Sequence, residues 1–149
     1  MSPEEAGART AIFVLVATLA RPIGGILSDR LGGQKLLLWV FIGVALTSWL
    51  MATTSIWLFS IGALCCAVLF SFGNGGVFKL VPQYFPHQTG SVTGLVGAAG
   101  GLGGFFPPIV LGICRDLTGS YAIGFGLLIA VALGCTGILA QTFLRSSTQ

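Results

Sequence analysis

The chain holds 149 residues, of which 54% are hydrophobic and 7% charged, with a formal net charge of +3. A soluble domain carries about 25% charged residues, so these side chains cannot cover a water-facing surface, and the mean hydropathy of +0.96 points the same way. The basic residues are scattered singly, which leaves no basic patch for nucleic acid.

The N-terminal Met1-Ser2-Pro3-Glu4-Glu5 is acidic, whereas a secretory signal opens on Lys or Arg, so no cleavable signal is read there. Cys65, Cys66, Cys114 and Cys135 form no C-x-x-C pair and have no His at metal spacing. They read as small apolar side chains. No nucleophile–base pair or metal-ligand set stands out, so neither an enzyme nor a resident cofactor or metal is expected.

A spanning helix needs about 20 apolar residues. Five runs qualify: 10–28, 36–52, 57–78, 90–112 and 121–144. Short connections at 29–35, 53–55, 79–89 and around 114–116 separate them. The expected fold is an all-α membrane protein, a transmembrane helix bundle of about five spans.

The first span carries Arg21, followed directly by Pro22. An arginine near a helix centre costs about 2.5–3.5 kcal/mol on the insertion scale, and the apolar residues from Ile12 to Leu27 return roughly 4 kcal/mol together. Insertion narrowly wins. Intramembrane arginines usually face a cavity or a partner; the alternative is a structural arginine that snorkels to the interface. Pro22 frees the carbonyl four residues back and tends to kink the helix, opening backbone beside the charge. Asp29, eight residues further, is about 12 Å along a helix and out of reach.

The end of the first span and the first connection carry Gly25, Asp29, Arg30, Gly32, Gly33 and Lys35 in the run Gly25-Ile-Leu-Ser-Asp-Arg-Leu-Gly-Gly-Gln-Lys35. A plain charged turn that sets topology would not need glycines at these places.

The third span ends on Gly73-Asn74-Gly75-Gly76-Val77-Phe78-Lys79. Glycines flanking an asparagine weaken a helix and let a ligand or another backbone approach. Such a break at membrane depth requires protein or a wet cavity beside it. Asn74 reads either as a bridge between helices or as part of a substrate path. Lys79 reads as an interfacial anchor.

The fourth span is the most specific segment. Gly90, Gly94 and Ala98, and Gly97 and Gly101, recur at the small-xxx-small spacing of close backbone packing. Packing alone does not explain why the glycine run continues through Gly100, Gly103 and Gly104 into Phe105-Phe106-Pro107-Pro108.

Placing the first connection in the cytoplasm puts Arg30, Lys35, Lys79 and Arg145 inside and Arg9 and Arg115 outside. The positive-inside rule prefers this orientation. The N-terminus is then outside and the C-terminus cytoplasmic, with Trp57 and Tyr121 at the outer interface.

The stretch from Gly94 to Pro108 resembles the second nitrate-signature motif of the nitrate/nitrite porter family, a branch of the major facilitator superfamily. The 73–79 stretch, Ala20-Arg-Pro-Ile-Gly-Gly25 and the Asp29 motif share that resemblance, which covers residues 10–144. It implies that residues 1–149 are a partial C-terminal transmembrane domain, helices eight to twelve of a twelve-helix fold, and that helices one to seven lie outside them. By it, Arg21 is the eighth-helix arginine that binds the anion, Phe78 a tenth-helix aromatic at the substrate, and Gly97, Gly100, Gly101 and Gly104 line the path, with Asn74 near it. The partners implied are nitrate and nitrite, the lipid bilayer and the N-terminal half. That half supplies a second arginine and a first glycine motif, and transport proceeds by alternating access. The implied location is the plasma (bacterial inner) membrane. The alternatives are a superfamily carrier for another small anion or solute, and a truncated remnant that does not transport.

Overall fold

The computed structural model describes residues 3–53 and 55–146. Met1, Ser2, Thr54 and residues 147–149 lie outside the described residues, and with them the placement of the extreme termini. The described chain folds into five helices: α1 (Pro3–Leu31), α2 (Gly33–Met51), α3 (Ile56–Tyr84), α4 (Thr89–Thr118) and α5 (Ala122–Ser146). All five are long and apolar enough to cross a membrane.

Each break has a local cause. Gly32, the single residue between α1 and α2, has φ +85° and ψ 139°, backbone space open essentially to glycine. At the other end of α2, Ala52 turns the chain, its N–H reaching Ser48 O and Trp49 O. Phe85 leaves the helical region ahead of Pro86, as residues before proline do. Gly119 closes α4 in the left-handed region, donating its N–H to Arg115 O at 2.7 Å.

Several helices run further than the apolar patterns suggest. The Asp29 motif is not a loop: apart from Gly32, its residues lie in α1 and α2. Gly73-Asn74-Gly75-Gly76 does not interrupt α3, which continues through Pro82 to Tyr84. Lys79 therefore sits on a helix rather than in a connection. The fourth helix passes through Pro107 and Pro108 to Thr118. Backbone hydrogen bonding is the only satisfaction available in hydrocarbon, so the chain keeps its helices where a soluble protein would end them.

The packing order is α1 on α3, α3 on α2, and α2 on α5. Leu36, Val40, Val44 and Ala45 of α2 pack with Cys66 of α3 and Ala132 of α5, and Leu27 of α1 covers one edge. The outlier is α4, which touches only α3 and α5 and buries none of its residues. Cys66 is buried and Cys65 exposed, while Cys114 and Cys135 are half-buried; all four are free thiols.

Side by side, α1 and α3 run parallel, in a register held at three heights. Arg9 Nη1 donates to Ser60 Oγ at 2.9 Å, Ser71 Oγ to Ala17 O at 2.6 Å, and Lys79 Nζ to Ser28 O at 2.9 Å. Between the lower two, glycines let the backbones meet. A Cβ on Gly24 would lie 2.6 Å from Phe72 Cα, and one on Gly75 would lie 2.7 Å from Gly24 C and Gly25 N.

Candidate functional site

The crossing at Gly24 and Gly75 sets the spacing of the residues around it. An α-helix turns about 100° per residue. With Gly24 facing α3, Leu27 lies about 60° to the side that α2 covers, and Arg21 about 60° to the other side. On α3, Gly75 faces α1, while Gly73 and Gly76 abut Val40 and Leu37 of α2. Asn74 and Phe78 then lie about 100° and 60° from Gly75 on the side away from α2. Arg21, Asn74 and Phe78 therefore share the flank of the α1–α3 pair that α2 leaves uncovered, and all three are exposed.

Beside that flank, between α2, α3 and α4, is a cavity of about 460 Å³. Asn74, Phe78, Gly97, Gly100 and Gly101 line it, as do Phe41 and Phe70. Among the described lining residues Asn74 has the single polar side chain. Arg21 and Gly104 are not among the lining residues. Gly103, next to Gly104, instead faces an apolar groove of about 420 Å³ against α5, with Phe106, Pro107 and Leu127.

The glycines of α4 do not serve close packing within this chain. A Cβ at Gly94, Gly97, Gly100, Gly101, Gly103 or Gly104 would meet nothing within 4 Å. Among the described residues, facing glycines from neighbouring helices occur instead between α1 and α3, at Gly24 and Gly75, and between α2 and α3, at Gly33 and Gly76.

Arg21 makes no hydrogen bond or ion pair among the described residues. Asp29 is committed elsewhere: its Oδ1 accepts from Lys79 Nζ at 2.7 Å. That pair gives Lys79 a partner, and it gives the Asp29 motif a partner helix within this chain. With Asp29 largely exposed, the pair contributes about 0–1 kcal/mol. Gly33 and Gln34 of the same stretch also contact α3. A Cβ on Gly33 would come within 2.9 Å of Gly76 O, and Gln34 donates to the Tyr84 hydroxyl. Gly25 has open space beside it, and Arg30 and Lys35 are exposed.

At the opposite end of the bundle Arg9 and Arg115 rest on aromatic rings. Arg9 lies 6.0 Å from the Trp57 centroid and Arg115 5.1 Å from that of Tyr121, whose hydroxyl accepts from Arg115 Nη1 at 2.6 Å. The Arg115 contact is local in sequence. The partners of Asp29 and the lining residues Phe41 and Phe70 carry no sequence signal, because each depends on which helices are neighbours.

A profile of the Major Facilitator Superfamily matches residues 1–148. The chain belongs to the Major Facilitator Superfamily. This major facilitator segment is 48% identical over 134 residues to a nitrite extrusion protein of Bacillus subtilis (strain 168), covering 89% of this chain and 34% of the relative. It is 40% identical over 141 residues to a probable nitrate transporter, NarT, of Staphylococcus aureus (strain bovine RF122 / ET3-1), covering 94% of this chain and 36% of the relative. The chain thus spans about a third of the length of the curated relatives it matches. The names of these relatives agree with the resemblance carried by the glycine motif of α4. Five apolar helices in a major facilitator segment make this an integral membrane protein.

Proposed function

We propose that the transporter containing this segment carries nitrate or nitrite across the membrane, and that Arg21 is the anion ligand this segment contributes. The observation that carries the reading is the charge of Arg21. It lies on a membrane-length helix, on the same flank as Asn74 and Phe78, without a carboxylate to balance it. A bound anion supplies that balance. Nitrate is planar and singly charged, and a guanidinium is planar, permanently charged and donates in a fork. Aromatic faces at Phe78, Phe70 and Phe41 bound a flat ion, and glycines on α4 let backbone approach it.

Alternating access places such a site between two halves that rock against one another. The second wall, with its own arginine, comes from the part of the transporter outside these residues. The exposed glycine face of α4, which no helix of this segment covers, supports that reading. The clustering of Arg30, Lys35 and Lys79 at one end of the bundle supports a cytoplasmic position for that end in a bacterial inner membrane, with the N-terminus outside.

The test uses the purified full-length transporter and its nitrate affinity, with helicity checked for every variant. Arg21→Lys keeps the charge but loses the fork, and is expected to weaken binding strongly; Arg21→Ala is expected to weaken it further. Arg30→Lys, at the helix corner, is expected to leave affinity unchanged. A folded Arg21→Ala protein that binds nitrate like the parent overturns the assignment.

A further inference from the structure

Arg21 has no side-chain partner among the described residues, so its placement depends on the backbone that carries it. That backbone is weakened one residue on. Pro22 has no N–H, so the Thr18 carbonyl has no helical donor, and the Thr18 hydroxyl is spent on Val14 O at 2.8 Å. One position earlier, the Ala17 carbonyl accepts the helical N–H of Arg21 by the i to i+4 pattern. The same carbonyl accepts the Ser71 hydroxyl of α3 at 2.6 Å. Ser71 is 5% exposed. Its hydroxyl has one proton to give, and its other acceptor, Ala67 O in its own helix, is further away at 2.9 Å.

We infer that Ser71 is a positioning residue for the anion ligand: it pins the turn that ends at Arg21 and thereby fixes where the guanidinium fork stands relative to Asn74 and Phe78. The inference rests on the reading of Arg21 as the ligand. Its geometry is independent of that reading. Above Arg21, Ser71 holds the Ala17 carbonyl; below it, Gly24 lies against Phe72 Cα and Ser71 O. Both restraints come from one turn of α3, and that turn leads directly into Asn74. Ligand and cavity are thus referenced to a common stretch of backbone. A shift of α1 relative to α3 would move the fork but not Asn74 or Phe78.

The experiment measures nitrate Kd and thermal midpoint for Ser71→Ala in the full-length transporter, alone and combined with Arg21→Lys. Ser60→Ala serves as a control, because it removes another hydrogen bond between the same two helices, far from Arg21. Ser71→Ala is expected to raise Kd about three- to ten-fold, the range for one buried hydrogen bond, and Ser60→Ala less than about two-fold. In the Arg21→Lys background the Ser71→Ala effect is expected to disappear, since a point charge on a flexible stem does not depend on fork placement. An equal rise in both backgrounds makes Ser71 a general structural residue and overturns the inference. Parent-like binding by Ser71→Ala, with binding lost in Arg21→Ala, overturns it while leaving Arg21 as the ligand. Parent-like binding by Arg21→Ala removes both. If Ser71→Ala does not fold, Ser71→Cys carries the test: its weaker donor is expected to raise Kd, and a Kd equal to the parent's overturns the inference.

Discussion

Gly32 leaves α1 at φ +85° and ψ 139°, and α2 starts one residue later. A side chain in that region of backbone space costs about 1–3 kcal/mol. Nothing lies within 4 Å of a Cβ placed there, so the cost is conformational and not steric. Gly32→Ala is therefore expected to lower the thermal midpoint of the protein in detergent, and Gly25→Ala, in α1 with equally open space, to leave it nearly unchanged. Equal midpoints for the two variants would show that the corner tolerates an ordinary residue. Asp29 and Lys79 clamp the same end with a partly exposed ion pair, a contact that salt screens.

At the scale of elements, the α1–α3 pair is the unit that brings Arg21 beside the cavity. Its crossing leaves no room for a methyl group: Gly24 has Phe72 Cα at 2.6 Å and Ser71 O at 3.0 Å from an ideal Cβ, all backbone that cannot rotate away. Gly24→Ala is expected to force the helices apart and to reduce both folded yield and nitrate affinity. Gly97→Ala on α4, where a Cβ meets nothing in this segment, is expected to spare the fold of these five helices. The informative measurement is folded yield after detergent extraction, followed by nitrate binding on the material recovered. If Gly24→Ala extracts and binds like the parent, the crossing is looser than its backbone distances indicate.

For the whole molecule, the proposed function makes this segment one wall of a two-walled site. Its helices line the cavity on three sides, and α4 buries no residue against the rest. A single wall has nothing to rock against. Reconstituted alone in liposomes, this segment is expected to show no saturable nitrate uptake above empty vesicles, and co-expression with the N-terminal half of a related porter is expected to restore it. Saturable uptake by the segment alone would contradict the two-walled site.

The membrane class, the five spans and the family motifs were all legible from residue types. Seven per cent charge cannot cover a soluble surface, five apolar runs have spanning length, and Arg21 and the glycine run of α4 are conspicuous in hydrocarbon. The tertiary structure alone decided which helices touch. It paired α1 with α3 across the intervening α2, joined Asp29 to Lys79 and Ser71 to Ala17, and left the α4 glycines without a neighbour in this chain. The reason is the solvent. In water a helix shows its inner face by the spacing of its apolar residues. In lipid every face is apolar, so packing is chosen by where small residues let backbones approach and where a hydroxyl finds a carbonyl, and neither is visible until the helices are side by side.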